Sequence, residues 1–201
     1  MVPSQTLPLP LFSFVSRMDL VAPTPHVVLG PFYPVPPPED AGADLFRGRC
    51  AGGDTVSGLV VITGRVLRTN GNPIRDALVE IWQANAAGRY VHLRDTNTAP
   101  LDPDFLGYGR DRTGADGRYR FLTVLPGPYH DGQEWRAPHV HFQVTGPSDR
   151  LITQLFFANE PLHRTDAWFQ RSRRPHMLEA PLTPTGDRAS TVTWDIFLGG
   201  A

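Results

Sequence analysis

Two histidines separated by one residue carry the sharpest chemistry in this chain, in the run Arg136-Ala137-Pro138-His139-Val140-His141-Phe142. If residues 139 to 144 form a strand, both imidazoles leave the same face, with Cα atoms about 6.8 Å apart. At that separation they can converge on one metal ion. The same spacing also arises as the polar face of an ordinary half-exposed strand, and the pair alone leaves both readings open. The single cysteine, Cys50, excludes a disulfide framework and a cysteine-rich zinc site. No His-Glu-x-x-His motif occurs. The loops offer tyrosines instead: Tyr90 in Gly88-Arg89-Tyr90 and Tyr129 in Pro126-Gly127-Pro128-Tyr129. A phenolate is a hard anionic donor matched to trivalent iron, whose charge lowers the pKa of a bound phenol as it does that of bound water. Spacing does not single out either tyrosine, since loop tyrosines are mostly packing residues with a wet hydroxyl.

The elements that must hold these groups read as strands. From Gly58 the text GLVVITGRVL is strand-like, and Asn70-Gly71 after it is a two-residue hairpin signal. DALVEIWQAN then reads as the returning strand, with Leu78, Glu80 and Trp82 alternating against Val79 and Ile81. Residues 86 to 112 form a loop too long for a simple connection, and hence a functional candidate. RYRFLTV, HVHFQV and LITQLFF are three further strands, and STVTWDIFL closes the chain as a last one. Only His163 to Arg173 looks helical. The expected architecture is all-β: an antiparallel β-sandwich over residues 58–201, with long loops. Residues 1–57, proline-rich and without period, are expected to pack on it as an irregular N-terminal arm.

Composition narrows the rest. Nineteen basic against twenty acidic residues argues against a nucleic-acid footprint. Every basic residue is arginine, which excludes Schiff-base lysine chemistry and the phosphate-loop lysine. Nineteen glycines and twenty-one prolines in 201 residues suit turns between many short strands. Apolar runs such as Leu59 to Ile62 fall far short of the roughly 20 residues a membrane helix needs. The first twenty residues lack a basic start and carry Pro8 and Pro10, so they read as a leader rather than a signal peptide, with Met18 an alternative start. A cytoplasmic protein is expected.

Several longer stretches then match a known family. GPFYP (30–34), GRV…GNPIRDALVEIWQANAAGRYVH (64–92), APLDPDFLGYGR (99–110), DGRYRFLTVLPGPY (116–129), WRAPHVHF (135–142) and LITQLFF (151–157) occur in its order. The chain resembles the intradiol ring-cleavage dioxygenases, and most closely the iron-bearing beta chain of their protocatechuate branch. APLDPDF favours that branch over the catechol 1,2-dioxygenase branch. The resemblance implies one non-haem Fe(III) held by Tyr90, Tyr129, His139 and His141, with Tyr129 the ligand that leaves when substrate chelates. It implies Arg136 and Gln154 beside the substrate, Arg136 stabilising anionic charge on the ring and Gln154 orienting it. The segment Pro31-Phe32-Tyr33 matches one that lines the family's site from a neighbouring chain. It implies a catecholic substrate and O2, opened between the two hydroxyl-bearing carbons to a muconate.

Three departures bear on the pocket wall and leave the ligand set intact. The family order Arg-Pro-Ala-His is here Arg136-Ala137-Pro138-His139, the segment from Tyr129 to His139 is shorter, and His130 stands where proline is usual. The ring is therefore open among protocatechuate, catechol, hydroxyquinol and gallate. A transthyretin-like binding module shares part of the pattern but has no reason to keep four ligand positions, and the iron-free partner chain of a two-chain dioxygenase lacks them. One sequence holding both arm and iron site favours a homo-oligomer, with a second, iron-free subunit left open.

Overall fold

The computed structural model describes residues 20–45, 58–186 and 189–199. The leader reading and Met18 lie outside those residues. Twelve strands build the described molecule: β1 Leu59–Arg68, β2 Leu78–Trp82, β3 Tyr108–Arg112, β4 Arg118–Val124, β5 Tyr129–His130, β6 Trp135–Arg136, β7 His139–Thr145, β8 Arg150–Phe157, β9 Glu179–Ala180, β10 Thr183–Pro184, β11 Ala189–Thr193 and β12 Ile196–Leu198. One four-residue helix, α1 Ala167–Gln170, lies between β8 and β9, capped by the Asp166 carboxylate. No helix among the described residues is long and apolar enough to cross a membrane.

The strands form two five-stranded sheets and a separate antiparallel pair, β5 with β6. In the first, β1 pairs antiparallel with β4 and parallel with β11 and then β12. In the second the order is β3-β2-β7-β8-β9, antiparallel except for the parallel β8–β9 pair. The sandwich is thus mixed rather than purely antiparallel. Val60, Ile62 and Val66 of β1 alternate inward and meet Val79 and Ile81 of β2 and Val140, Phe142 and Val144 of β7 in one core. The last sequence run divides at Trp194-Asp195, where the Asp195 carboxylate accepts from the Arg65 backbone N–H at 2.9 Å.

Two expectations need correction. Asn70-Gly71 does turn the chain, with Gly71 N–H donating to the Arg68 carbonyl at 2.8 Å, but β2 does not return along β1. Pro73 has no N–H to extend a ladder, the pairing stops at a single Leu67–Pro73 bridge, and the chain crosses to the second sheet. The loop expected over 86–112 also ends earlier, because its last five residues form β3 against β2.

β7 is buried on both faces. Its even-numbered residues Val140, Phe142 and Val144 enter the core, while His139, His141 and Gln143 face the opposite way. What covers that second face is the arm. Val27, Leu29, Phe32 and Tyr33 pack there against Phe156, Trp82, Tyr90 and Tyr108. Val27 N–H donates to Ile152 O at 2.9 Å, tying the arm to β8. Leu45, fully buried, carries the arm's end into the core itself.

Candidate metal centre

Strand alternation aims both histidines into the arm-covered face. His141 lies in register between Trp82 on β2 and Gln154 on β8. The Trp82 indole stacks on its ring, with centroids 4.9 Å apart and planes within 11°. On the other side comes the arm: a Cβ at Gly30 would stand 3.1 Å from His141 Cε1, and its φ of +75° is one that only glycine adopts readily. His139 packs on Phe156 at 5.5 Å.

The hydrogen bonds select tautomers. His139 Nδ1 donates to the Ala137 carbonyl at 2.6 Å, which leaves a lone pair on Nε2. Beside His141 the Gln154 amide nitrogen donates to the Val28 carbonyl at 3.2 Å. The two Nε2 atoms face each other at 3.2 Å. Both imidazoles are held neutral. Burial and then the Arg136 cation push His139 down to about 3. Burial, His139 and Arg136 push His141 well below its usual value.

Two phenols complete the ring of donors. Tyr90 and Tyr129 meet edge to face at 5.4 Å. Tyr129 lies 5.7 Å from the His139 ring, and Tyr90 lies 6.2 Å from that of His141. The loops bearing them touch at Gly88, where a Cβ would sit 2.4 Å from the Pro128 carbonyl oxygen and φ is +79°. Burial raises the Tyr90 phenol well above its usual value, and the neighbouring Tyr129 adds to it. Burial raises Tyr129 too, with Arg136 opposing. Without a cation among them both stay protonated.

This set suits a trivalent metal. Two nitrogens about 2.1 Å from a metal and at right angles lie about 3 Å apart, close to the observed Nε2–Nε2 distance. Among the described residues the buried Tyr90 hydroxyl has the Tyr129 phenol as a polar neighbour but no partner in good hydrogen-bond geometry, a cost that a metal bond would remove. Among the described residues no three His, Cys, Asp or Glu side chains gather, so the phenols are the further side-chain donors this group offers a metal. Both imidazoles are neutral and ready to bind. A cation would reverse the bias against phenolate.

Beside this group opens a cleft of about 890 Å³, lined by Tyr129 and Arg136 and by Pro31 and Phe32 of the arm. Arg136 is buried. Its Nε donates to Asp166 at 3.0 Å and its Nη2 to Gln154 Oε1 at 3.1 Å, and the Gln154 amide nitrogen stands 3.2 Å from His141 Nδ1. Phe32 packs on Tyr90 at 4.5 Å, its ring tilted by 32°. Tyr33 takes a different place from the other expected substrate contacts. It turns away from the cleft, sets its edge on Trp82 and donates its hydroxyl to Glu80 at 2.9 Å.

Two groups here escape a reading of the sequence. Asp166, fully buried, anchors Arg136 from thirty residues away. Its only local signal is that of a helix N-cap before Ala167. Glu80, also buried, accepts from Tyr33, Tyr108 and Gln143, the last two at 2.6 Å. This node fastens the arm to β2, β3 and β7, and burial with the Glu80 bond raises the Tyr33 phenol to about 12.

Over residues 30–200 the chain matches the family described as Dioxygenase. It belongs to the intradiol ring-cleavage dioxygenases. It is 48% identical over 147 residues to the protocatechuate 3,4-dioxygenase beta chain of Burkholderia cepacia, covering 69% of this chain and 63% of that one. It is 35% identical over 158 residues to hydroxyquinol 1,2-dioxygenase of Rhizobium sp., covering 71% and 50%. This intradiol dioxygenase homologue thus spans roughly half to under two thirds of those two relatives. Among solved structures, the dioxygenase domain of a dioxygenase–carbohydrate-binding fusion from Streptomyces sp. SirexAA-E superposes with a TM-score of 0.67. The match is at 26% identity and covers 90% of this chain and all of that domain.

Proposed function

We propose that the protein is a non-haem Fe(III) intradiol dioxygenase that cleaves a catecholic ring with O2. The observation that carries this reading is the convergence of two facing imidazole nitrogens and two buried phenols beside an arginine-lined cleft. Tyr90, Tyr129, His139 and His141 hold the metal. Ferric iron bound there supplies the Lewis acidity that lets a catecholate react with O2 between its two oxygenated carbons and yield a muconate. Tyr129 is the one member of the four that also lines the cleft, so its phenolic oxygen accepts a proton from the entering catechol. Arg136, fixed by Asp166 and Gln154, stabilises negative charge that develops on the ring. Gln154 orients both the guanidinium and the His141 side of the site. Phe32 and Pro31 exclude water from the face over Tyr90.

A protocatechuate-like ring is the favoured substrate, supported by the 48% identity to a protocatechuate 3,4-dioxygenase beta chain. The hydroxyquinol relative keeps a second reading open, the same chemistry on hydroxyquinol, catechol or gallate. The arm packs on its own chain's site, so a second, iron-free subunit would not be needed to supply that segment. The test is anaerobic titration of the iron-loaded protein with a panel of catechols, then O2 and product identification. A red to burgundy protein with about one iron per chain and muconate products is expected. Colourless ferric protein, or semialdehyde products from cleavage beside the hydroxyls, would overturn the reading.

A further inference from the structure

The cleft holds a cation that neither the metal group nor Arg136 accounts for. Arg94 lines the same cavity as Tyr129 and Arg136. Its backbone N–H is engaged, donating to His92 Nδ1 at 3.1 Å, but among the described residues its guanidinium has no ion pair or hydrogen-bond partner. Arg136, by contrast, is already committed to Asp166 and Gln154. The segment that carries Arg94 is held in place. Asp95 accepts from Tyr90 N–H at 2.6 Å and from Asn97 N–H at 2.8 Å, and Asn97 Nδ2 donates to the Gly88 carbonyl at 2.9 Å. A free guanidinium is therefore tethered four residues from Tyr90, on backbone fixed to Tyr90 itself.

The same cavity also carries carboxylates. Asp131 accepts from the Gln133 and Glu134 N–H groups, and against the upward push of burial those bonds, with Arg136 and His130 nearby, hold its carboxyl below the usual range. Asp95 lines the cavity too, its two oxygens taking the Tyr90 and Asn97 N–H groups. Among these lining groups Arg94 is the arginine whose guanidinium has no partner among the described residues, and it is the one left to meet a negatively charged ring substituent.

We propose that Arg94 is a specificity residue that pairs with a carboxylate on the catechol ring and so selects carboxylated over unsubstituted catechols. This rests on the dioxygenase reading above. The guanidinium fork can meet a carboxylate bidentately, and an ammonium in its place keeps the charge but loses that fit.

The experiment compares kcat/KM for protocatechuate and for catechol in the iron-loaded wild type and in Arg94→Met, Arg94→Lys and Arg94→Glu. Anaerobic Kd values for both rings are measured at low and high salt. The protocatechuate-to-catechol ratio is expected to fall about tenfold or more in Arg94→Met and further in Arg94→Glu, with Arg94→Lys intermediate. Protocatechuate binding should weaken with salt in the wild type and much less so in Arg94→Met. A ratio unchanged in both Arg94→Met and Arg94→Glu overturns the assignment, as does a wild type that binds catechol as tightly as protocatechuate. If the wild type forms no muconate from any catechol, the dioxygenase reading fails and takes this one with it. Arg94 is exposed, so unchanged melting temperatures are expected in all three variants and separate a lost contact from a lost fold.

Discussion

Asp166 accepts four hydrogen bonds on two oxygens: Arg136 Nε and the Ala137 N–H on one, the Trp168 and Phe169 N–H groups on the other. One carboxylate therefore caps α1 and sets the pose of the arginine beside the cleft. Replacing it with alanine leaves a buried guanidinium uncompensated, at a cost of about 3–5 kcal/mol, read as a lower melting temperature. Asp166→Asn keeps the shape and removes the charge. It should bind iron with wild-type colour and lower kcat much more than it changes KM; a wild-type kcat would mean that Arg136 does not depend on this anchor. His163 makes a separate, pH-dependent contribution. It stacks on Phe169 at 4.0 Å, and burial lowers its pKa from 6.5 against the opposing pull of Glu179, Glu160 and Asp166. Above 6.5 both folded and unfolded chains carry it neutral. Below 6.5 the unfolded chain takes the proton first, so stability falls with pH until the lower folded pKa is passed. Denaturant melts of iron-loaded wild type and His163→Phe across this range should show the steeper acid loss in the wild type. Asp166 and Glu80 were both illegible in the sequence for one reason: their partners are distant in the chain, and no period links them.

At the level of elements, β1, β2, β4, β7 and β8 are legible because their alternation survives on at least one face. β3 was hidden: Tyr-Gly-Arg-Asp-Arg is polar, contains glycine, and pairs only because β2 presents an open edge. The crossing after Asn70-Gly71 was hidden as well, since a turn signal specifies local backbone and not which sheet receives the next strand. The two tyrosine loops belong to this level. They approach at Gly88 so closely that any side chain strikes the Pro128 carbonyl, and a positive φ adds about 1–2 kcal/mol for a residue other than glycine. Gly88→Ala should therefore part Tyr90 from Tyr129. The expected result is a protein that folds with a reduced melting temperature and retains little iron or colour at neutral pH, measured by metal analysis and visible absorbance. Full iron content in this variant would mean that the loops can separate without loss of the site.

For the molecule as a whole, the order of the motifs made the metal group legible, because all four proposed ligands fall in stretches that resemble one family. The arm was legible only as irregular chain. Its destination depends on Gly30 passing over His141 and on Tyr33 reaching Glu80, contacts that no local pattern announces. That destination has a kinetic consequence. A pocket whose wall came from a neighbouring molecule would fall apart on dilution, and turnover per mole would drop as concentration fell below the dissociation constant of the assembly. Here Pro31 and Phe32 reach the cleft from the same polypeptide, so closing the wall is a unimolecular event with no dependence on concentration. Turnover per iron should stay constant across dilution through any dissociation seen by light scattering, and each released copy should work as a complete catalyst.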